Sequence, residues 1–256
     1  MNLEFNISLA ESYKSHSQIS RVLTEAWIEE NMFCPNCGNL FVKHFENNKP
    51  VADFFCPQCL NQYELKSKSG SLGKKITDGA YATMINRITS DTNPDLFLMS
   101  YSRLENKVEN LFLVPKHFFV PDIIEKRKPL ADTAKRAGWV GCNILLEKIP
   151  KQGKIPIIKA GKLEDKKVVL YKTQVSRGLQ TNNLNMRGWL MDILLCINQI
   201  PDDIFKLSDM YYFEDMLSVK HPDNRNIKPK IRQQLQFLRD KGFIEFLGNG
   251  KYRKLL

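Results

Sequence analysis

Four cysteines constrain this chain more than any other feature. Cys34 and Cys37 enclose two residues, Cys56 and Cys59 enclose two more, and 18 residues separate the pairs. The C-x2-C-x18-C-x2-C spacing suits a four-thiolate zinc site. Pro35, Gly38 and Pro57 favour the tight turns such a site needs. A disulfide framework would use the same residues, but no secretory leader opens the chain, and cytoplasmic thiols stay reduced. The expectation is therefore Zn2+ on Cys34, Cys37, Cys56 and Cys59. Its role is structural, since four thiolates leave no open position for a substrate.

The second cysteine pair lies inside a predicted hairpin. Val51–Phe55 and Gln62–Lys66 are rich in β-branched and aromatic residues and read as its two strands. Alternation puts Glu64 and Lys66 on one face and turns Leu65 into the core. Strand pairing lets Asp53 join them, so two carboxylates and an ammonium converge. Two carboxylates hold a hard divalent cation such as Mg2+, and the lysine can orient water and stabilise charge building on phosphorus. This is the arrangement of the PD-(D/E)xK nuclease fold. Alone, an Asp followed at a distance by Glu-x-Lys is a weak signal, and the embedded thiolate pairs are what raise it. Ala52 stands where the generic motif has proline, a position without a metal-binding role.

The chain has 256 residues, enough for two domains, and a formal net charge of +10, which favours a polyanionic partner. No apolar run is long enough to span a membrane, and a cytoplasmic location is expected. Charge does not choose between DNA, RNA and anionic lipid. A metal-carboxylate centre beside a basic surface points to phosphodiester chemistry.

Along the chain, Ser17–Glu30 shows helical spacing through Ile19, Val22, Leu23, Ala26 and Trp27. Glu25 borders that stripe and is a candidate third carboxylate, although a solvated helix glutamate is the favoured reading. Lys68–Lys75 reads as a flexible basic loop in which Lys74 and Lys75 can touch phosphate. The Walker spacing is not met, which excludes a P-loop nucleoside triphosphatase. Thr77–Thr89 reads as helix, and Phe97–Tyr101 and Val108–Val114 as strands. Pro121–Asn143 holds the densest basic run. Within it, Lys135, Arg136 and Trp139, the last between two glycines, suit a loop that packs on nucleic acid. Cys142 and Cys196 read as small buried residues. His16, His44, His117 and His221 are scattered, and none needs to be a ligand. Ile149–Lys167 reads as strand-turn-strand. Polar Ser176–Asn185 marks a junction, giving domains over 1–182 and 183–256.

Beyond the junction the pattern becomes helical. Gly188–Ile200 is an apolar helix, Ser208 can cap a second reaching about Val219, and Asn226 a third. Pro229 fits the third helix's first turn, and Gly242 ends it. A hairpin with Asn249-Gly250 in its turn completes a winged helix-turn-helix. In the third helix Ile227, Ile231, Leu235 and Leu238 face the core, and Lys230, Gln233, Gln236 and Phe237 face outward. Lys251 and Arg253 make the hairpin basic.

The metal hairpin, the segments DGAYATM (Asp78–Met84) and RAGWVGCNI (Arg136–Ile144), and the C-terminal run from Ile231 to Leu255 together resemble the DpnI-type methyl-directed (type IIM) restriction endonucleases. The resemblance covers essentially the whole chain. It implies an α/β (α+β) PD-(D/E)xK catalytic domain with an embedded zinc site and a C-terminal winged helix. The implied partner is double-stranded DNA carrying N6-methyladenine in GATC, cut with Mg2+ by a monomer. Carried over, Asp53, Glu64 and Lys66 are catalytic, with Mg2+ on Asp53, Glu64 and the Leu65 carbonyl. Trp139 and the face around Gln233 and Phe237 are the candidate methyl readers. Two other readings use the same residues: a non-catalytic zinc-ribbon and winged-helix regulator, and a repair nuclease of the same fold.

Overall fold

The structure is a computed structural model that describes residues 1–45, 52–90 and 92–255. Helix α1 (His16–Asn31) comes first, followed by β1 (Lys43–His44), β2 (Phe54–Phe55), β3 (Gln62–Ser69) and β4 (Lys75–Ala80). Next are α2 (Tyr81–Ile88), β5 (Asp95–Ser102), β6 (Lys107–Val114), β7 (Ile124–Lys126) and β8 (Gly141–Leu145). The N-terminal part closes with β9 (Ile155–Lys159), β10 (Lys162–Leu163) and α3 (Lys166–Arg177).

A seven-stranded sheet in the order β1-β2-β3-β5-β6-β9-β10 organises this part. Only β3 and β5 run parallel within it; the other pairs are antiparallel. Strand β5 is buried from Asp95 to Tyr101, as expected of a strand covered on both faces. One face packs against α1 and α3 through Leu23, Trp27, Ile28 and Val169, with Phe97, Leu111 and Ile157 opposite them. The stripe on α1 accounts for this, since Trp27 and Ile28 follow Leu23 by four and five residues on one side of the helix. Asp165 caps α3 by accepting a hydrogen bond from the Lys167 N–H.

The other face carries a second, three-stranded sheet, β4-β8-β7. Ile76, Cys142, Ile144 and Leu146 from that layer pack on Leu96, Leu98 and Val114.

The C-terminal part contains α4 (Leu184–Gln199), β11 (Ile204–Lys206), α5 (Leu207–Tyr211), α6 (Glu214–Lys220), α7 (Ile227–Asp240), β12 (Ile244–Gly248) and β13 (Lys251–Lys254). The strands order as β11-β13-β12, which makes the wing a three-stranded sheet. Asn249 and Gly250, with φ of 47° and 68°, form its turn, the left-handed pair that a tight hairpin requires. Ile231, Leu235, Leu238, Trp189 and Ile193 belong to the same continuous core as Leu98 and Ile144, so the winged helix shares its core with the main sheet.

Several local expectations are corrected. Val51 lies outside the described residues, and the first hairpin strand is Phe54–Phe55 alone. Strand β3 runs on to Ser69, and Thr77–Ala80, where the apolar spacing suggested helix, belongs to strand β4, so α2 starts only at Tyr81. Ser176 and Arg177 belong to α3, and Leu179 is fully buried, so this junction is a packed turn. Ser208 lies inside α5, and the cap comes from the Asp209 carboxylate, which accepts from the Lys206 N–H at 2.7 Å. Tyr212 and Phe213 break the second helix in two. Asn226 starts α7 without a side-chain cap bond. Phe237 is half-buried against the core, with the Lys241 ammonium 5.5 Å over its ring; it does not face outward.

Candidate functional site

The four cysteines meet across two turns of one design. In the first, the Gly38 N–H donates to the Cys34 carbonyl at 2.9 Å and the Cys34 N–H to Asn39 at 2.8 Å. In the second, Leu60 donates to Cys56 at 2.9 Å and Cys56 to Asn61 at 2.9 Å. Gly38 and Leu60 hold the matching positions with φ of 81° and 59°. The sulfur atoms all lie within 4.8 Å of one another. Cys34–Cys59 and Cys37–Cys56 are each 3.6 Å apart, too long for a disulfide and close to the ~3.8 Å tetrahedral edge implied by Zn–S bonds of about 2.3 Å. The Asn36 amide donates to Cys59 at 3.2 Å, and the Tyr63 hydroxyl lies 3.0 Å from Cys34. Burial pushes the Cys34 thiol well above its ordinary value, as expected where a cation is needed to hold the thiolate. This donor set fits Zn2+.

Directly after the second turn, β3 carries the candidate catalytic residues. Phe54 pairs with Tyr63, and the Asp53 N–H donates to the Tyr63 carbonyl at 3.0 Å. That register brings Asp53 beside Glu64, and one Asp53 oxygen accepts the Leu65 N–H at 2.7 Å. Leu65 points into the α1 side of the core. On the opposite face, Lys66 Nζ lies 2.7 Å from Glu64.

Two charged groups that the sequence did not single out complete this arrangement. Asp78 on β4 forms an ion pair with Lys66 from the second sheet, and Arg87 on α2 lies 3.6 Å from the far oxygen of Glu64. Charges therefore alternate as Arg87, Glu64, Lys66, Asp78. Burial alone would lower the Lys66 pKa, but Glu64 and then Asp78 outweigh it and hold the ammonium above its ordinary value. Asp78 sat inside a helix-like apolar pattern, which masked it in the sequence.

Asp53 and Glu64 offer carboxylate oxygens, the donor type that suits a hard cation. Among the described residues the four cysteines are the one group of three or more cysteine, histidine or carboxylate side chains gathered this closely; Asp53 and Glu64 form no such group with a third carboxylate. Glu25 is engaged by Arg21 at 2.8 Å and lies 3.4 Å from His44.

The candidate DNA contacts fall in two places. Trp139 is half-buried, with the Arg136 guanidinium 4.8 Å from its ring, and Lys135 is exposed beside it. Its indole lies on Gly141, where an added Cβ would meet it at 2.8 Å. Gly141 and Cys142 pair with Ala80 and Asp78, so Trp139 sits at the end of the strand next to the Lys66 ion pairs. Lys74 and Lys75 are paired with Glu147 and Glu125. On α7, Gln233 and Gln236 are exposed and Lys230 donates to Gln233 at 2.8 Å. Lys251 and Arg253 are exposed on the wing, and Arg253 is 2.9 Å from Glu245. No helix among the described residues is long and apolar enough to cross a membrane.

Two family models match. The DpnI, Dam-replacing family model covers residues 1–182, and the Dam-replacing HTH domain model covers residues 185–254.

Proposed function

The chain belongs to the Dam-replacing (DpnI) family, and from that premise we propose that it is a methyl-directed restriction endonuclease. On this reading it hydrolyses double-stranded DNA at GATC sites whose adenine is N6-methylated, using Mg2+. Residues 1–182 form the catalytic domain and 183–256 the winged helix. The observation that carries the reading is the pairing of Glu64 with Lys66 beside Asp53, on a strand anchored at its start by the four-cysteine site.

Asp53, Glu64 and the Leu65 carbonyl would hold Mg2+, which neutralises charge developing on the scissile phosphate. Lys66 lies between Glu64 and Asp78, in contact with both. From there it orients water for in-line attack. The Zn2+ site fixes the register of Asp53 against Glu64 and takes no part in chemistry. Trp139 and the outward face of α7 read the methyl groups. The protein acts as a monomer in the cytoplasm.

Replacing Asp53, Glu64 or Lys66 by Ala tests the assignment. Each variant should lose cleavage by at least about 10²-fold while still binding methylated duplex through the winged helix. A Lys66→Ala enzyme that cuts at the parental rate would remove Lys66 from the chemistry. A parental enzyme that makes no double-strand cuts would favour the regulator reading.

A further inference from the structure

Lys66 is held from two sheets at once, and the proposed chemistry accounts for only one of its partners. Glu64 sits two residues away on β3, and that contact occupies a carboxylate assigned to the cation. Asp78 comes from β4, on the smaller sheet, and its side chain is only 7% exposed. The backbone there is built to aim it: the β4–β8 register shifts between Asp78 and Ala80, a bulge at Gly79. Bulges re-aim side chains in this way. The Asp78 carboxylate also accepts the Gly79 N–H at 2.7 Å, which fixes its orientation.

When Glu64 turns to a divalent cation, Lys66 loses that partner and is repelled by the new charge. A lysine chain with four rotatable bonds would then leave its place unless something held it from the far side. We infer that Asp78 is the positioning residue for Lys66, keeping the ammonium in place from the smaller sheet so that Glu64 is free to bind the cation. The inference rests on the nuclease reading above. It also ties Lys66 to the strand pair that begins beside Trp139, because Asp78 pairs with Cys142, one residue after Gly141.

The test uses the full chain with Asp78→Asn and Asp78→Glu, and Mn2+ as the probe. Asp78→Asn should lower the single-turnover rate on methylated duplex on the order of 10²-fold. Its affinity for duplex without metal should be unchanged, and its affinity for Mn2+, read from the free-ion paramagnetic signal, should hold within about fivefold. Asp78→Glu should recover part of the rate. In crystals of the Mn2+-loaded parent, the anomalous peak should lie on Asp53 and Glu64, with Lys66 on Asp78. An anomalous peak on Asp78 would make it a ligand and overturn the inference. So would a rate that Asp78→Asn leaves unchanged, or a Lys66 that keeps its place in the crystal of that variant. Digestion by the parent reports on the proposed function alone. The position of Lys66 in the loaded crystal reports on Asp78 whatever the substrate.

Discussion

On the proposed reading, single residues decide both the chemistry and its selectivity. The triad Asp53, Glu64 and Lys66 was legible because alternation on a strand needs nothing but sequence. Asp78 and Arg87 were not, because each reaches Lys66 or Glu64 only through tertiary packing. Trp139 was legible as an odd aromatic between glycines, whereas its support on Gly141 is visible only in space. That support provides a test of methyl reading. Burying one methyl is worth roughly 0.8 kcal/mol, about fourfold, so strict selectivity needs more than one such contact. Gly141→Ala pushes the indole off its seat without removing it. Gly141→Ala and Trp139→Ala should therefore both lower the preference for fully methylated over unmethylated duplex, several-fold each. If both keep the full preference in a matched cleavage series, the reader lies elsewhere.

At the level of elements, the second cysteine turn joins β2 to β3, in the register that pairs Phe54 with Tyr63. The cysteine spacing was readable because tetrahedral thiolate geometry leaves few alternatives. Thr77–Ala80 of β4 was misread as helix because Ile76 is the one buried residue of the strand, while Ala80 at its end keeps helical spacing with Met84, Ile85 and Ile88 of α2. The Ser208 cap failed because a carboxylate one residue later reaches the same end of the helix. Metal and folding are coupled where thiolates form part of a core. Cys34 and Cys56 are fully buried. Cys56→Ser should thus lose zinc, activity and solubility together, and a strong chelator should reproduce the loss in the parent. Elemental analysis finding no zinc in active parent protein would refute this role.

At the level of the whole molecule, the two family regions are joined by a common core and by polar ties. Arg187 on α4 donates to the carbonyls of Ile88 and Phe119, and Gln152 and Asn198 exchange amide hydrogen bonds at 3.2 and 3.1 Å. Lys220 pairs with Asp122 from the N-terminal part as well as with Asp192. The sequence located the change of pattern near residue 183 but gave no sign of this shared interior, since apolar helices look alike whatever they pack against. A chain ending at residue 182 would uncover the turn Lys116–Phe118, against which α4 packs, and leave the buried Phe118 open to water. It should aggregate or lose cooperative unfolding, and a soluble truncation with a sharp melt would show instead that the halves are autonomous.

On the proposed reading the protein cuts DNA only where adenine is methylated. One plasmid, prepared with and without N6-adenine methylation, tests it most directly when both forms are digested with Mg2+. Discrete fragments ending at GATC are expected from the methylated form and intact plasmid from the other. Equal cutting of both forms, or binding without any cutting, would contradict it.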